Sequence, residues 1–474
     1  MDARELPAEN TVEYLVTEGK DYCLTHGLVM QSKESYFTVE HAPFTLLPTA
    51  FPKRLFLQAK EVQNDFNVLV HRVSQDHEFL KEALSGTIGV DEFTAKIFEI
   101  YETTRKEGLS QPIALGILRS DYMLDIGNKP DDLSIKQVEI NTIASSFGGL
   151  SPQVRALHSF LSDLQNEHDP SKKDKLPINT SCLGVAAGLV DAWKYYGNER
   201  AVAMIVVSED ERNRFDQRWV QHLMREHDPR AHLIRKTFNE INSKGQLKED
   251  KTLIVDGYEI AVVYFRNGYD PHQYSSENDW NARLMMERSR AIKCPSAALH
   301  LAGTKKVQQV LASPGVLERF ISDEEVLNRI RSTFTGLYTL DEGPEGDKTV
   351  QMAIADPDRF VLKPQLEGGG HNIFGEDIVK TLKNTTNVKE RSKYILMDKI
   401  QPPVTKNYIV RAELPKPVLA DVISELGFFG ILVSRGDEIL VNREVGHLMR
   451  TKSIDHNDGG VCSGRANLDS PYLV

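Results

Sequence analysis

Two hydrophobic periods divide the chain. Over the first hundred residues apolar positions recur three and four apart: Val62, Phe66, Leu69, Val70 and Val73 make one stripe, and Phe93, Ile97, Ile100 and Tyr101 another that closes at Lys106, Glu107 and Gly108. Such spacing gathers each set on one face of a helix, so this part is expected to be packed amphipathic helices supplying core or subunit contacts. From Ile113 the period drops to two. Ile113, Leu115 and Ile117 alternate in a strand expected to end at Arg119, and residues 135–141 form the next, with Glu139 and Asn141 on one face. A small, Gly-containing turn at 142–149 follows, where a bound molecule can approach the backbone.

Residues 166–178, rich in Asp, Lys and Pro, are expected to be a surface connection. Residues 183–193 then suggest a helix and 203–207 a buried strand. Asp256-Gly257 between apolar runs predicts a hairpin, and the strand 262–265 runs into Arg266-Asn267-Gly268-Tyr269. Polar clusters at strand ends line ligand crevices in α/β folds, and they also occur as plain loops. Lys305 and Lys306 open a helical run, where two cations oppose the local dipole unless an anion is present. Residues 394–400 read as a strand facing either an aromatic base or the core. Residues 418–425 and 430–441 read as antiparallel strands about a turn at Arg435-Gly436-Asp437, and the tail closes with basic residues 447–452 and a Gly-containing turn at 458–462.

The stretch with most chemistry is 359–375, where Lys363 and Glu367 flank Gly368, Gly369 and Gly370. Three consecutive glycines are costly to order, which suits a backbone that must approach phosphate oxygens or take positive φ. Lys363 would add a full charge, and Glu367 could hold the magnesium that accompanies a nucleotide. Triple glycine by itself is also what a flexible hairpin tip looks like, so its company elsewhere decides. Glu139 and Asn141 offer a second pair of oxygen ligands at strand spacing.

Composition narrows the partners. With 57 basic and 68 acidic residues the net charge is -11, which disfavours nonspecific attraction to nucleic acid or anionic membrane. Cys23, Cys182, Cys294 and Cys462 lie far apart, so neither a disulfide framework nor a zinc site is indicated. No apolar run approaches the roughly 18 residues of a membrane span, and the N-terminal stretch lacks the apolar core of a secretory signal. A cytoplasmic protein is expected, a trimmed signal remaining compatible with that pattern. P-loop, dinucleotide-fingerprint, serine-hydrolase and zinc-protease motifs are absent, as are internal repeats.

In chain order, residues 41–46, 119–123, 139–143, 262–266, 301–306, 363–370 and 450–452 resemble the eukaryotic glutathione synthetases of the ATP-grasp superfamily, and the resemblance covers nearly the whole chain. It implies an ATP-grasp α/β fold with a helical N-terminal part: a discontinuous main domain at 1–203 and 303–474, an inserted α/β substrate domain at 204–302, and a Gly-rich lid at 335–410. It implies ligation of γ-glutamylcysteine to glycine through an acyl phosphate, with ATP as co-substrate, two Mg2+ per site and a homodimer. Glu139, Asn141 and Glu367 would be metal ligands, and Arg119, Lys305, Lys363, Gly369 and Arg450 the catalytic set. Nucleotide would meet Lys305, Lys363, Gly368 to Gly370, Asn372, Phe374, Met397, Asp398, Lys399, Ile400, Glu425, Lys452 and Asp458. The dipeptide would meet Arg119, Ile143, Ala144, Ser145, Ser146, Glu211, Arg212, Asn213, Gln217, Arg266, Asn267, Gly268 and Tyr269, with Arg450, Val461 and Cys462 at the acceptor end. Ala144, Phe374, Asp398 and Cys462 depart from the family's usual serine, tyrosine, glutamate and smaller residue. The alternative reading is a divergent paralogue with altered acceptor specificity, or a non-catalytic dipeptide- or nucleotide-binding protein.

Overall fold

Three β-sheets organise the computed structural model, which describes residues 6–127, 132–165, 174–456 and 459–474. The central sheet orders seven strands as Thr405–Val410, Phe44–Thr45, Ala466–Asp469, Glu438–Ser453, Val418–Arg435, Ile113–Asp125 and Ser134–Asn141. Its neighbours are antiparallel except where Phe44 runs parallel to Leu468. Thr405–Val410 also pairs with Val418–Arg435, which closes part of the sheet into a ring.

Helix Lys53–Gln75 lies on this sheet and buries Val62, Phe66, Leu69, Val70 and Val73, as their spacing predicts. Helix Glu92–Glu107 is started by Asp91, whose side chain accepts the Thr94 N–H at 2.8 Å, and stopped by Gly108 at φ +90°. The N-terminal part is not all helix. Four short strands, Val29–Gln31, Val39–His41, Phe44–Thr45 and Thr49–Phe51, interrupt it, each too short to show a period in the sequence.

A second sheet has a parallel centre, Leu233–Lys236 beside Val202–Val206 beside Tyr258–Phe265 beside Ile292–Cys294. Every residue of Val202–Val206 is buried, as expected where both faces are covered. Asp256 and Gly257 turn at φ +54° and +83°, confirming the hairpin read from that dipeptide. The third sheet, Leu337–Tyr338, Tyr394–Asp398, Phe360–Pro364 and Ile373–Phe374, has a small core of its own around Phe360, Leu362, Ile378 and Leu396.

Several expected boundaries need correction. The strand from Ile113 does not end at Arg119 but runs on to Asp125, so Arg119 is flanked by strand on both sides. The segments 418–425 and 430–441 are parts of two long strands, Val418–Arg435 and Glu438–Ser453, and the basic tail 447–452 belongs to the second. The strand from Tyr394 stops at Asp398. Of the connection at 166–178, residues 166–173 lie outside the described residues. Among the described residues no helix is long and apolar enough to cross a membrane.

Candidate active site

Four adjacent strands of the central sheet supply the floor of a cleft. Register sets Asp121 opposite Glu139, Arg119 opposite Asn141 and Glu425 opposite Arg450. Asp121, buried, is the hub. Its carboxylate accepts from Arg119 Nε at 2.6 Å and Nη2 at 2.8 Å, from Asn141 Nδ2 at 2.9 Å and from Arg450 Nη2 at 3.1 Å. Arg450 also donates to Glu425. Gly427 leaves the room this cluster needs, since a Cβ there would stand 2.2 Å from Asp121 Oδ1. Burial works against the Arg450 charge, yet Glu425 and Asp121 outweigh it and raise the guanidinium further. With its Nδ2 committed to Asp121, Asn141 leaves its amide oxygen as the group to ligate a cation.

The walls come from a helix and a loop. Thr304 caps helix Lys305–Leu311, which projects Lys305 into the cleft. Lys305 Nζ donates to Leu366 O at 2.6 Å and Glu367 Oε1 at 3.0 Å, and stands 3.6 Å from Glu139 Oε2. Two carboxylates thus share one cation. Burial alone would raise the Glu139 carboxyl, but Lys305, Lys363, Arg450 and Arg119 take it down to about 2, whereas burial and the Glu139 charge keep Glu367 raised. Lys363, on strand Phe360–Pro364, donates to Val138 O at 2.7 Å beside Glu139. Gly368, Gly369 and Gly370 take φ of +90°, +75° and +90°, a run that only glycine enters readily, and Gly368 lies against the Tyr269 ring.

The turn at 142–149 forms the far side. Ala144 and Phe147 hold positive φ, +51° and +69°. Asp216, fully buried, steadies the turn by accepting the N–H groups of Phe147 (3.0 Å), Gly149 (2.6 Å) and Leu150 (3.1 Å). It also accepts Arg266 Nη1 at 3.0 Å, at the carboxyl end of strand Tyr258–Phe265. Nearby, Glu211 accepts the Asn213 N–H and Gln217 Nε2, both at 2.7 Å, and Arg212 Nη1 donates to Cys462 O at 3.0 Å. Both amide atoms of buried Asn213 lack a protein partner, as does Asn267 Oδ1. Cys462 is open to the cleft, but desolvation by the surrounding walls, with the Glu211 charge, pushes its thiol up to about 12.

The cleft encloses about 160 Å³ and brings together Arg119, Glu139, Asn141, residues 143–146, Tyr269, Lys305, Lys363, Glu367, Gly368, Gly369, Asn372, Glu425, Arg450, Val461 and Cys462. Glu211, Arg212, Asn213, Gln217, Arg266, Asn267, Gly268, Gly370 and Lys452 are not part of that lining. Phe374, Met397, Asp398, Lys399 and Ile400 belong to the third sheet and its edge. There Met397 is buried, Asp398 accepts from Tyr338 Oη at 3.0 Å and Arg359 Nε at 3.2 Å, and Lys399 Nζ sits 6.0 Å above the Phe374 ring. Asp458 lies outside the described residues. Sequence reasoning did not name Asp121, Asp216 or His371 as site residues, and of the turns it read at 142–149 and 458–462 it did not name Phe147 or 459–460. For Asp121 the available signal was its alternation with Arg119. Among the described residues no three His, Cys, Asp or Glu side chains form a metal cage.

Residues 9–473 match the family model for the eukaryotic glutathione synthase ATP-binding domain. The chain is 46% identical to the glutathione synthetase of Xenopus laevis over 467 residues, covering 98% of this chain and 97% of that one. It is 45% identical to the glutathione synthetase of Mus musculus over 473 residues, covering 99% and 98%. A solved structure of a glutathione synthetase-like effector from Globodera pallida, in its apo form, superposes with a TM-score of 0.79 at 28% identity, covering 99% of this chain and 98% of that one. The chain belongs to the eukaryotic glutathione synthase family.

Proposed function

We propose that this chain ligates γ-glutamylcysteine to glycine at the expense of ATP, forming glutathione, ADP and phosphate, in an ATP-grasp fold. The observation that carries the reading is the convergence of Lys305, Lys363, Glu139 and Glu367 beneath the Gly368 to Gly370 loop, beside Arg119 and Arg450. Phosphoryl transfer asks a protein for positioning and charge neutralisation, and this is a site of paired cations and carboxylates. On this reading residues 335–410 are the lid over a main domain made of 1–203 and 303–474, and 204–302 are the substrate domain.

Lys305 and Lys363 hold the nucleotide phosphates, Lys305 exchanging its carboxylate partners for them. The Gly368 to Gly370 N–H groups cover the phosphates and exclude water. Glu139, Glu367 and the Asn141 amide oxygen suit magnesium: all are hard oxygen donors, and the two carboxylates already converge on one cation. When bound, magnesium neutralises phosphate charge and fixes the geometry of transfer.

Arg266, Arg119 and the 143–146 turn hold the dipeptide so that its cysteinyl carboxylate faces the γ-phosphate. The carboxylate oxygen attacks phosphorus and ADP leaves. Arg450 then steadies the acyl phosphate while the glycine amine attacks its carbon and phosphate departs. Cys462 stays a neutral thiol and borders the acceptor. Asn372 and Glu425 serve the nucleoside, with Phe374, Met397, Asp398, Lys399, Ile400, Lys452 and Asp458. We assign the protein to the cytoplasm, as a homodimer; all four of its cysteines are free.

Phosphate release tests the reading. With ATP, magnesium and γ-glutamylcysteine, release is expected on adding glycine and absent without dipeptide. No release above background with glycine, β-alanine or serine would leave the non-catalytic binding reading.

A further inference from the structure

Lys306, the second cation of the Lys305–Leu311 helix, turns away from the cleft. It is 2% exposed, and its Nζ donates to Asp341 Oδ2 at 2.5 Å, Gln309 Oε1 at 2.8 Å and Thr339 Oγ1 at 3.1 Å. Three acceptors match the three N–H groups of an ammonium. Its backbone N–H is taken by Gln365 Oε1 at 3.1 Å.

Those partners lie at two roots. Thr339 and Asp341 follow strand Leu337–Tyr338 at the edge of the third sheet, and Gln365 opens the Gly-rich loop, two residues after Lys363 and two before Glu367. The helix itself is anchored to the floor. Gln308 Oε1 accepts the Ile140 N–H at 3.0 Å and its Nε2 donates to Ile140 O at 3.3 Å, which ties the helix to the Glu139 strand. Lys306 therefore joins the helix and the floor to the sheet and loop that carry Lys363, Glu367 and the glycines. Loss of its charge would leave Asp341 without its cation and Gln309 Oε1 without this donor, while Thr339 Oγ1 keeps the Asp341 N–H at 3.1 Å.

We propose that Lys306 is a positioning residue, the pivot that sets the third sheet and the Gly-rich loop against Lys305 and Glu139 so that nucleotide phosphates are gripped. The inference rests on the nucleotide role given above to Lys305 and Lys363. It concerns ATP far more than dipeptide, because Arg266, Asp216 and the 142–149 turn lie on elements that Lys306 does not bond.

The test compares K306M, K306R, D341N and K306M/D341N in the full chain. It measures KM for ATP and for γ-glutamylcysteine, calorimetric affinity for a non-hydrolysable ATP analogue with magnesium, and thermal unfolding. Misplacing a phosphate grip by about an ångström is expected to raise KM for ATP in K306M by roughly 10-fold or more while KM for dipeptide stays within about 2-fold. K306R, which keeps the cation, is expected to recover most of the loss, and the double variant to be no worse than K306M. An unchanged KM for ATP, or both KM values rising in step with lost stability and no rescue by K306R, would overturn the proposal. Should K306M not fold, the same selective rise in D341N supports it and a wild-type KM in D341N overturns it. If the wild type releases no phosphate the ligase reading has failed, and the analogue's affinity still reads the pivot: weaker binding in K306M supports it, equal binding overturns it.

Discussion

Asp121 holds the floor of the cleft together and Asp216 its far side; Asp121 falls within the resembling stretch 119–123, Asp216 within none. Asp216→Asn removes the charge opposite buried Arg266 and weakens the acceptor that holds Phe147, Gly149 and Leu150. Breaking one side of such a buried pair costs about 3–5 kcal/mol, to be read by urea unfolding, and KM for the dipeptide should rise with it. Lys293 gives a pH signature away from the cleft. Burial lowers its amine to about 8, and its Nζ donates to Ser289 O at 2.9 Å. Since the unfolded amine titrates near about 10.4, the unfolded chain binds the extra proton between these values and stability rises as pH goes from about 8 to 10.4. Lys293→Met should remove that rise and stabilise the protein at pH 7, as the difference between the two unfolding curves against pH. Cys462→Ala should leave ATP affinity unchanged and alter only the relative efficiency with glycine, β-alanine and serine, because Cys462 is read as bordering the acceptor end of the cleft. Glu139, Asn141, Lys305, Lys363 and Glu367 were legible in the sequence through strand period, a cation pair at a helix start and the glycine run. Asp121 and Asp216 were not, because an isolated aspartate reads as surface until burial and its donors are known.

At the scale of elements, the Gly-rich loop joins a strand that carries Lys363 to a strand that carries Phe374, and the Lys305 helix clamps its first residues. Glu367→Gln keeps the loop's shape but removes half of the carboxylate pair around Lys305. On the proposed role of Glu367 as a magnesium ligand, turnover should fall by at least the roughly 10–100-fold that altering a partner behind a metal ligand costs, with the thermal midpoint little changed. Near-normal turnover at limiting magnesium would remove Glu367 from the metal site. The helices carrying the Val62–Val73 and Phe93–Tyr101 stripes were legible, whereas Glu9–Thr25, which buries Val12, Leu15, Val16 and Cys23, was not singled out. The strand Val418–Arg435 was read as two pieces separated at 426–429, at Gly427 and next to Gly430. Both glycines are close approaches: a Cβ at Gly430 would meet Asn67 Oδ1 at 2.0 Å, just as one at Gly427 would meet Asp121.

For the whole molecule, the active cleft belongs to no single sheet. The central sheet gives the floor, the second sheet presents Tyr269 past its carboxyl edge with Arg266 held on Asp216 nearby, and the third sheet brings Lys363 and the loop. Individual strands and the order of chemistry along the chain were readable from period and motif. The pairing that places Glu425 and Arg450 next to residues more than 300 positions earlier was not, because register across such separations leaves no local trace in a sequence. The central claim is that this assembly activates a carboxylate by phosphorylation. Oxygen transfer measures that directly, using γ-glutamylcysteine carrying 18O in its cysteinyl carboxylate. One 18O should appear in each phosphate released as glutathione forms. Phosphate free of 18O, with the label wholly retained in the peptide product or substrate, would contradict the account.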